Sequence, residues 1–140
     1  MNISVIDGSN YFKGLLLLVR KDMKVSDSEI QLMRHIGKKL GFEREFCENA
    51  IRDVLENKYL VEAVPEFSTK ELAIKFIKDG LAMAFSDRQA LPSEEEWLQS
   101  TAEKHGLDPE WFRQEYVRAS NGRELPLKLE VDDLTVEYSK

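Results

Sequence analysis

A single cysteine, Cys47, stands in the 140 residues, so an intrachain disulfide is impossible and nothing points to an oxidising compartment. Long apolar runs are missing as well. Leu15 to Val19 is a run of five, far short of the roughly 20 that span a bilayer. Met1 to Asn10 lacks the basic start and apolar core of a signal peptide, so a cytoplasmic location without a transmembrane segment is expected. A basic excess is also lacking. Residues 1–85 carry 13 acids against 13 bases, and residues 86–140 carry 13 against 7. The whole net charge of −6 therefore lies in the last part of the chain, which disfavours nucleic acid and leaves room for cations or basic proteins. There is no glycine-rich phosphate loop and no nucleophile–base–orienter pattern. The two histidines, His35 and His105, have no Cys or His at metal-ligand spacing and lie near helix ends. An enzyme is not expected.

What remains is a helical chain, 42% apolar and 33% charged, long enough to bury a core in one domain. Ile3 and Val5 alternate with polar neighbours, and Asp7 to Asn10 is a turn cluster; residues 1–10 read as an N-terminal lead-in, either a short strand or a loose segment. A first helix is predicted from about Tyr11 to Lys21, apolar nearly all round and therefore central. Ser26 and Glu29 form a capping box that opens a second helix, flanked by Val25 and Ile30 as a staple. Ile30, Met33, Ile36, Gly37 and Leu40 follow at helical spacing until Gly41 stops it. A third helix, about Arg44 to Lys58, places Phe46, Cys47, Ala50, Ile51, Val54 and Leu55 on one face, where Cys47 reads as a small core residue. After Pro65, Ser68 with Glu71 and Phe67 with Leu72 predict a box and staple for a fourth helix reaching about Phe85. Gly80 within it costs about 1 kcal/mol relative to alanine, which a close helix crossing would explain. A fifth helix starts near Ser93, with Pro92 in its first position or Ser93 capping through Glu96. Trp97, Leu98, Thr101 and Ala102 face inward there, and Gly106 ends it. A sixth runs from about Pro109 to Ser120 with Trp111, Phe112, Tyr116 and Val117 inside.

The stretch from Lys13 to Cys47 returns 65 positions later as Lys78 to Phe112. Lys13, Leu16, Asp22, Ser28, Glu29, Lys39 and Gly41 fall on Lys78, Leu81, Asp87, Ser93, Glu94, Lys104 and Gly106. A unit with one apolar face buries it best against its own copy, so the expected fold is all-α, six to seven helices in two pseudo-repeated halves. Each copy carries an acidic turn before its second helix: Asp22, Asp27 and Glu29 in one, Asp87 and Glu94 to Glu96 in the other. Hard cations favour clustered oxygen ligands, so these turns are candidate sites. Acids in a first helical turn also serve the macrodipole and capping boxes. Neither turn is an EF-hand.

The duplicated pattern, V-R-K-D-M-K-V-S-D-S-E before K-L-G-F and A-F-S-D-R-Q-A-L-P-S-E-E-E before H-G-L, resembles the TerB-like tellurite-resistance domain. The resemblance covers about Tyr11 to Ser120. It implies an all-α fold of two related halves and a non-enzymatic part in tellurite or other chemical-stress response, near membrane-associated complexes. It also implies a divalent cation such as calcium at acidic positions, which here are Asp22, Glu29, Asp87 and Glu94. Where the motif aspartate is followed by glycine in the family, this chain has Met23 and Arg88, and an arginine there repels a cation. The same helical module is similar to the N-terminal domain of DjlA-type co-chaperones, without their J-domain.

Residues 11–122 are thus taken as the helical domain, with repeat units of about 13–47 and 78–112, and 123–140 as an acidic, alternating tail. Leu127, Leu129 and Val131, then Leu134, Val136 and Tyr138, flank Asp132-Asp133 in a hairpin pattern. Such a hairpin needs a surface to pack on: the helices, the Ile3 to Val5 segment, or another molecule. Two functions follow. One is a TerB-like interaction module with a protein partner or self-association. The other is an adaptor without metal that binds through Leu127, Leu129, Leu134 and Val136 by strand addition.

Overall fold

A computed structural model describes residues 1–21, 26–57, 63–85, 90–121 and 129–137. Among the described residues six helices carry the fold: α1 (Val5–Arg20), α2 (Asp27–Lys39), α3 (Arg44–Glu56), α4 (Lys70–Phe85), α5 (Pro92–Lys104) and α6 (Pro109–Asn121). A short strand β1 (Asn2–Ser4) precedes them, and a 3-10 turn (Glu130–Asp133) and strand β2 (Thr135–Glu137) follow. Every boundary of α4, α5 and α6 lies 65 residues after that of α1, α2 and α3. The all-α architecture of two repeated halves with a β-like tail is therefore the observed one.

The correspondence reaches single residues. Ser4 caps α1 by accepting from the Asp7 N–H at 3.1 Å, and Thr69 caps α4 by accepting from Leu72 N–H at 3.1 Å. The glycine stops match too: Gly41 and Gly106 adopt φ of 80° and 68°, where a side chain would be strained. The buried faces of α1 and α4 share one register, Tyr11 with Phe76 and Phe12 with Ile77. These two helices pack on each other at the centre, α2 and α3 flank α1, and α5 and α6 flank α4. No described helix is long and apolar enough to cross a membrane.

Several expectations need correction. The first helix begins at Val5, not near Tyr11, because Ser4 caps it. Asp7 and Gly8 are buried first-turn residues rather than parts of a turn. In α4 the cap is Thr69, since Ser68 is engaged elsewhere. Pro92 takes the first position of α5, and Glu94 rather than Glu96 reaches back to its start. On α6 only Phe112 is buried, and Val117 is half exposed. On α3, Phe46 and Leu55 are exposed beside buried Cys47, Ile51 and Val54. Gly80 does mark a close crossing. A methyl there would lie 2.7 Å from Leu98 of α5 and 3.2 Å from Leu18 of α1.

The tail departs furthest. Asp132-Asp133 does not form a hairpin turn; these residues belong to the 3-10 turn, whose Asp132 carboxylate accepts from Leu129 N–H at 3.0 Å. Leu129, Val131, Leu134 and Val136 are all buried in the core. Strand β2 pairs in parallel with β1, Ile3 opposite Val136. Of the alternatives for packing the tail, the helices and the Ile3 segment are both used. Leu127 and Tyr138 lie outside the described residues.

Candidate functional site

Glu29 and Glu94 occupy the same place at the start of α2 and α5. Glu29 Oε1 accepts from the Ser26 N–H at 3.0 Å while Ser26 Oγ accepts from Glu29 N–H at 3.1 Å, which completes the expected box. Glu94 Oε1 accepts from Leu91 N–H at 2.9 Å, and its side chain is buried. Leu91 has no hydroxyl to return the bond, so the second box is half a box with a proline behind it. Asp22 and Asp87, with Met23 and Arg88, lie outside the described residues. Two of the four candidate ligands are thus placed, and both have a capping role. Among the described residues no group of three or more His, Cys, Asp or Glu side chains is arranged to hold a metal.

The remaining candidates take structural parts. His105 Nε2 accepts from Phe67 N–H at 2.9 Å while its Nδ1 lies 2.7 Å from the Thr101 carbonyl. That pairing puts the ring proton on Nδ1 and pins the segment before α4 onto α5. His35 Nε2 approaches Asp132 at 3.5 Å. Burial, and secondarily Glu48, pushes the Cys47 thiol up, away from the thiolate a nucleophile needs. Trp97 is a core residue whose ring lies under Lys21, 4.4 Å from Nζ to centroid. An apolar hollow between α1, α2 and α3 is lined by Leu16, Val19, Met33 and Ile51 among others, with no polar group to orient a substrate.

The most elaborate polar arrangement was not anticipated. Asp79, 1% exposed in the middle of α4, accepts from Tyr11 Oη at 2.6 Å, Glu130 N–H at 2.7 Å and Val131 N–H at 3.0 Å. It joins both central helices to the 3-10 turn. Burial pushes its carboxyl up to about 6, against the lowering effect of those three donors. The same burial, then Asp79 itself, holds the Tyr11 hydroxyl well above its ordinary range. A second buried carboxylate, Asp7, accepts from the backbone N–H of Ser68 at 3.1 Å and from its hydroxyl. Both were legible in the repeat: at the 65-residue offset Asp7 falls on Leu72 and Asp79 on Gly14. An acid that replaces a buried leucine or a packed glycine is a signal for an anchoring group. Its donors come from the chain's own backbone and tyrosine, so Asp79 anchors the 3-10 turn to the two central helices.

Searches of protein-family models, of curated proteins and of solved structures find no match to this chain.

Proposed function

We propose that this protein is a TerB-like, non-enzymatic interaction module of the tellurite-resistance type, acting in stress response in the cytoplasm. The observation that supports the reading is the doubled three-helix unit, each copy with acidic residues in sequence around the start of its second helix. A divalent cation such as calcium would be taken at Asp22 with Glu29, and at Asp87 with Glu94. Glu94 is buried and Glu29 partly open, so the first turn is the better site. The adaptor reading has less support, because Leu129, Leu134 and Val136 are already buried within the chain.

Calorimetric titration of chelator-treated protein with calcium, magnesium and zinc tests the cation. Saturable binding that disappears in Asp22→Asn/Glu29→Gln is the expected result. A flat trace with all three metals would remove the cation from the reading and leave the acids as helix caps.

A further inference from the structure

We infer that the surface of α1, α2, α4 and β1 under Leu129–Glu137 is a peptide-binding groove occupied by the chain's own strap, and that it takes acidic, aliphatic peptides of the same pattern. The way the strap is held is the chemistry of peptide recognition. Leu129, Val131, Leu134 and Val136 enter the core at the first, third, sixth and eighth positions of a stretch that passes through the 3-10 turn into β2. Gly8 leaves room for one of them, since a methyl there would lie 2.8 Å from Val136 Cγ2. Asp79 reads two successive backbone N–H groups, and β1 adds backbone pairing. Polar groups face the acids between the anchors: the Lys78 ammonium is 4.0 Å from Glu130, and the His35 ring is 3.5 Å from Asp132.

The other half of the molecule provides the comparison. At the 65-residue offset, Leu129–Asp132 falls on Val64–Phe67, the segment that joins the two halves. There the polar contacts fall at other positions: Phe67 N–H donates to His105 at 2.9 Å and the Glu66 carbonyl accepts from Asn10 at 3.0 Å, while Pro65 has no N–H where Glu130 has one and Gly14 no carboxylate where Asp79 has one. A methyl on Gly14 would lie 3.1 Å from Pro65. At the Gly14–Pro65 position the fixed connection is packed and takes its backbone bonds at Glu66 and Phe67 from two different side chains, whereas on the strap one carboxylate at the matching position reads two successive N–H groups.

The inference deepens the interaction-module reading and rests on it, but not on the cation. Asn2 and Thr135 are exposed register partners, so Asn2→Cys/Thr135→Cys in a Cys47→Ser chain gives a strap that can be locked by oxidation. The probe is a labelled peptide of the sequence Leu129 to Glu137, followed by fluorescence anisotropy. The reduced full-length chain is expected to bind it at least tenfold more tightly than the oxidised chain. Peptide carrying Val131→Asp and Leu134→Asp should not bind. Equal affinity of the reduced and oxidised chains, or equal binding of the altered peptide, would overturn the groove. In a second arm, Val131→Asp/Leu134→Asp in the full chain frees the groove without changing its walls. A tenfold gain over the unaltered chain supports the inference, and no gain sinks it. Either result leaves the metal titration of the acidic turns to be decided separately.

Discussion

Tyr11 and Phe76 hold the same place in the repeat, as do Gly14 and Asp79, and the differences compensate across the molecule. Tyr11 meets Asp79, and its hydroxyl finds an acceptor. Phe76, without a hydroxyl, lies so close to Gly14 that a methyl there would be 2.8 Å from its ring. A buried ionised carboxylate is tolerable only when donors surround it. Because the carboxyl of Asp79 is raised to about 6 from 3.8, the folded protein binds a proton more readily than the unfolded chain. Its contribution to stability is therefore fully present in acid and is lost as pH rises through about 6, by about 3 kcal/mol in all. Denaturant midpoints should rise between pH 7 and pH 5, and Asp79→Asn should flatten that slope. An unchanged slope would show that Asp79 is not the group responsible. Tyr11→Phe removes a hydrogen bond to a charged acceptor and should cost about 1.5–3 kcal/mol at pH 7, and less at pH 4 when Asp79 is protonated. Urea melts at the two pH values measure both.

At the scale of helices, the ends and the crossings decide the arrangement. Ser26→Ala removes the hydroxyl half of the α2 box and should cost about 1 kcal/mol; α5, which lacks that half already, shows that the helix still forms. Gly14→Ala offers about 1 kcal/mol of helix propensity but drives a methyl into the Phe76 ring and Pro65. Both neighbours are stiff, so overpacking of about 1–3 kcal/mol should prevail, and thermal unfolding should show a lower midpoint. Helix identity, the Ser26 box, the Gly41 and Gly106 stops and the close crossing at Gly80 were all legible, because each is written in local spacing. The start of α1 was not. Asp7 to Asn10 has turn composition; the local Ser4 cap starts the helix there, and the distant Ser68, which bonds Asp7, and Val136, which packs on Gly8, bury it. The tail was half legible. Alternation marked its buried residues, but Asp132 turns back on Leu129 N–H and makes a 3-10 turn where a hairpin was expected. The candidate cation site was the least legible part, since capping and ligation call for the same acids in the same place.

In the whole molecule, contacts are reciprocal in the manner of a two-fold dimer fused into one chain. The segment that closes the first half lies on α1 and α5, through Asp7 and His105, and the segment that closes the second lies on α4 and α2, through Asp79 and His35. Three helices on each side form from near neighbours in sequence, which folds quickly. The pairing of Ile3 with Val136 is of another kind, because it closes a loop of nearly the whole 140-residue chain. Loop closure of that length carries its entropy cost before any contact repays it, so this pairing belongs after the transition state. Val136→Ala, which removes about 2 kcal/mol of buried methyl groups, should leave the refolding rate nearly unchanged and raise the unfolding rate about thirtyfold. Stopped-flow chevrons would read this directly, and a slowed folding limb would contradict it. The seam between the first and last strands is thus the last part of the protein to assemble, and its strength sets how long the native state lasts.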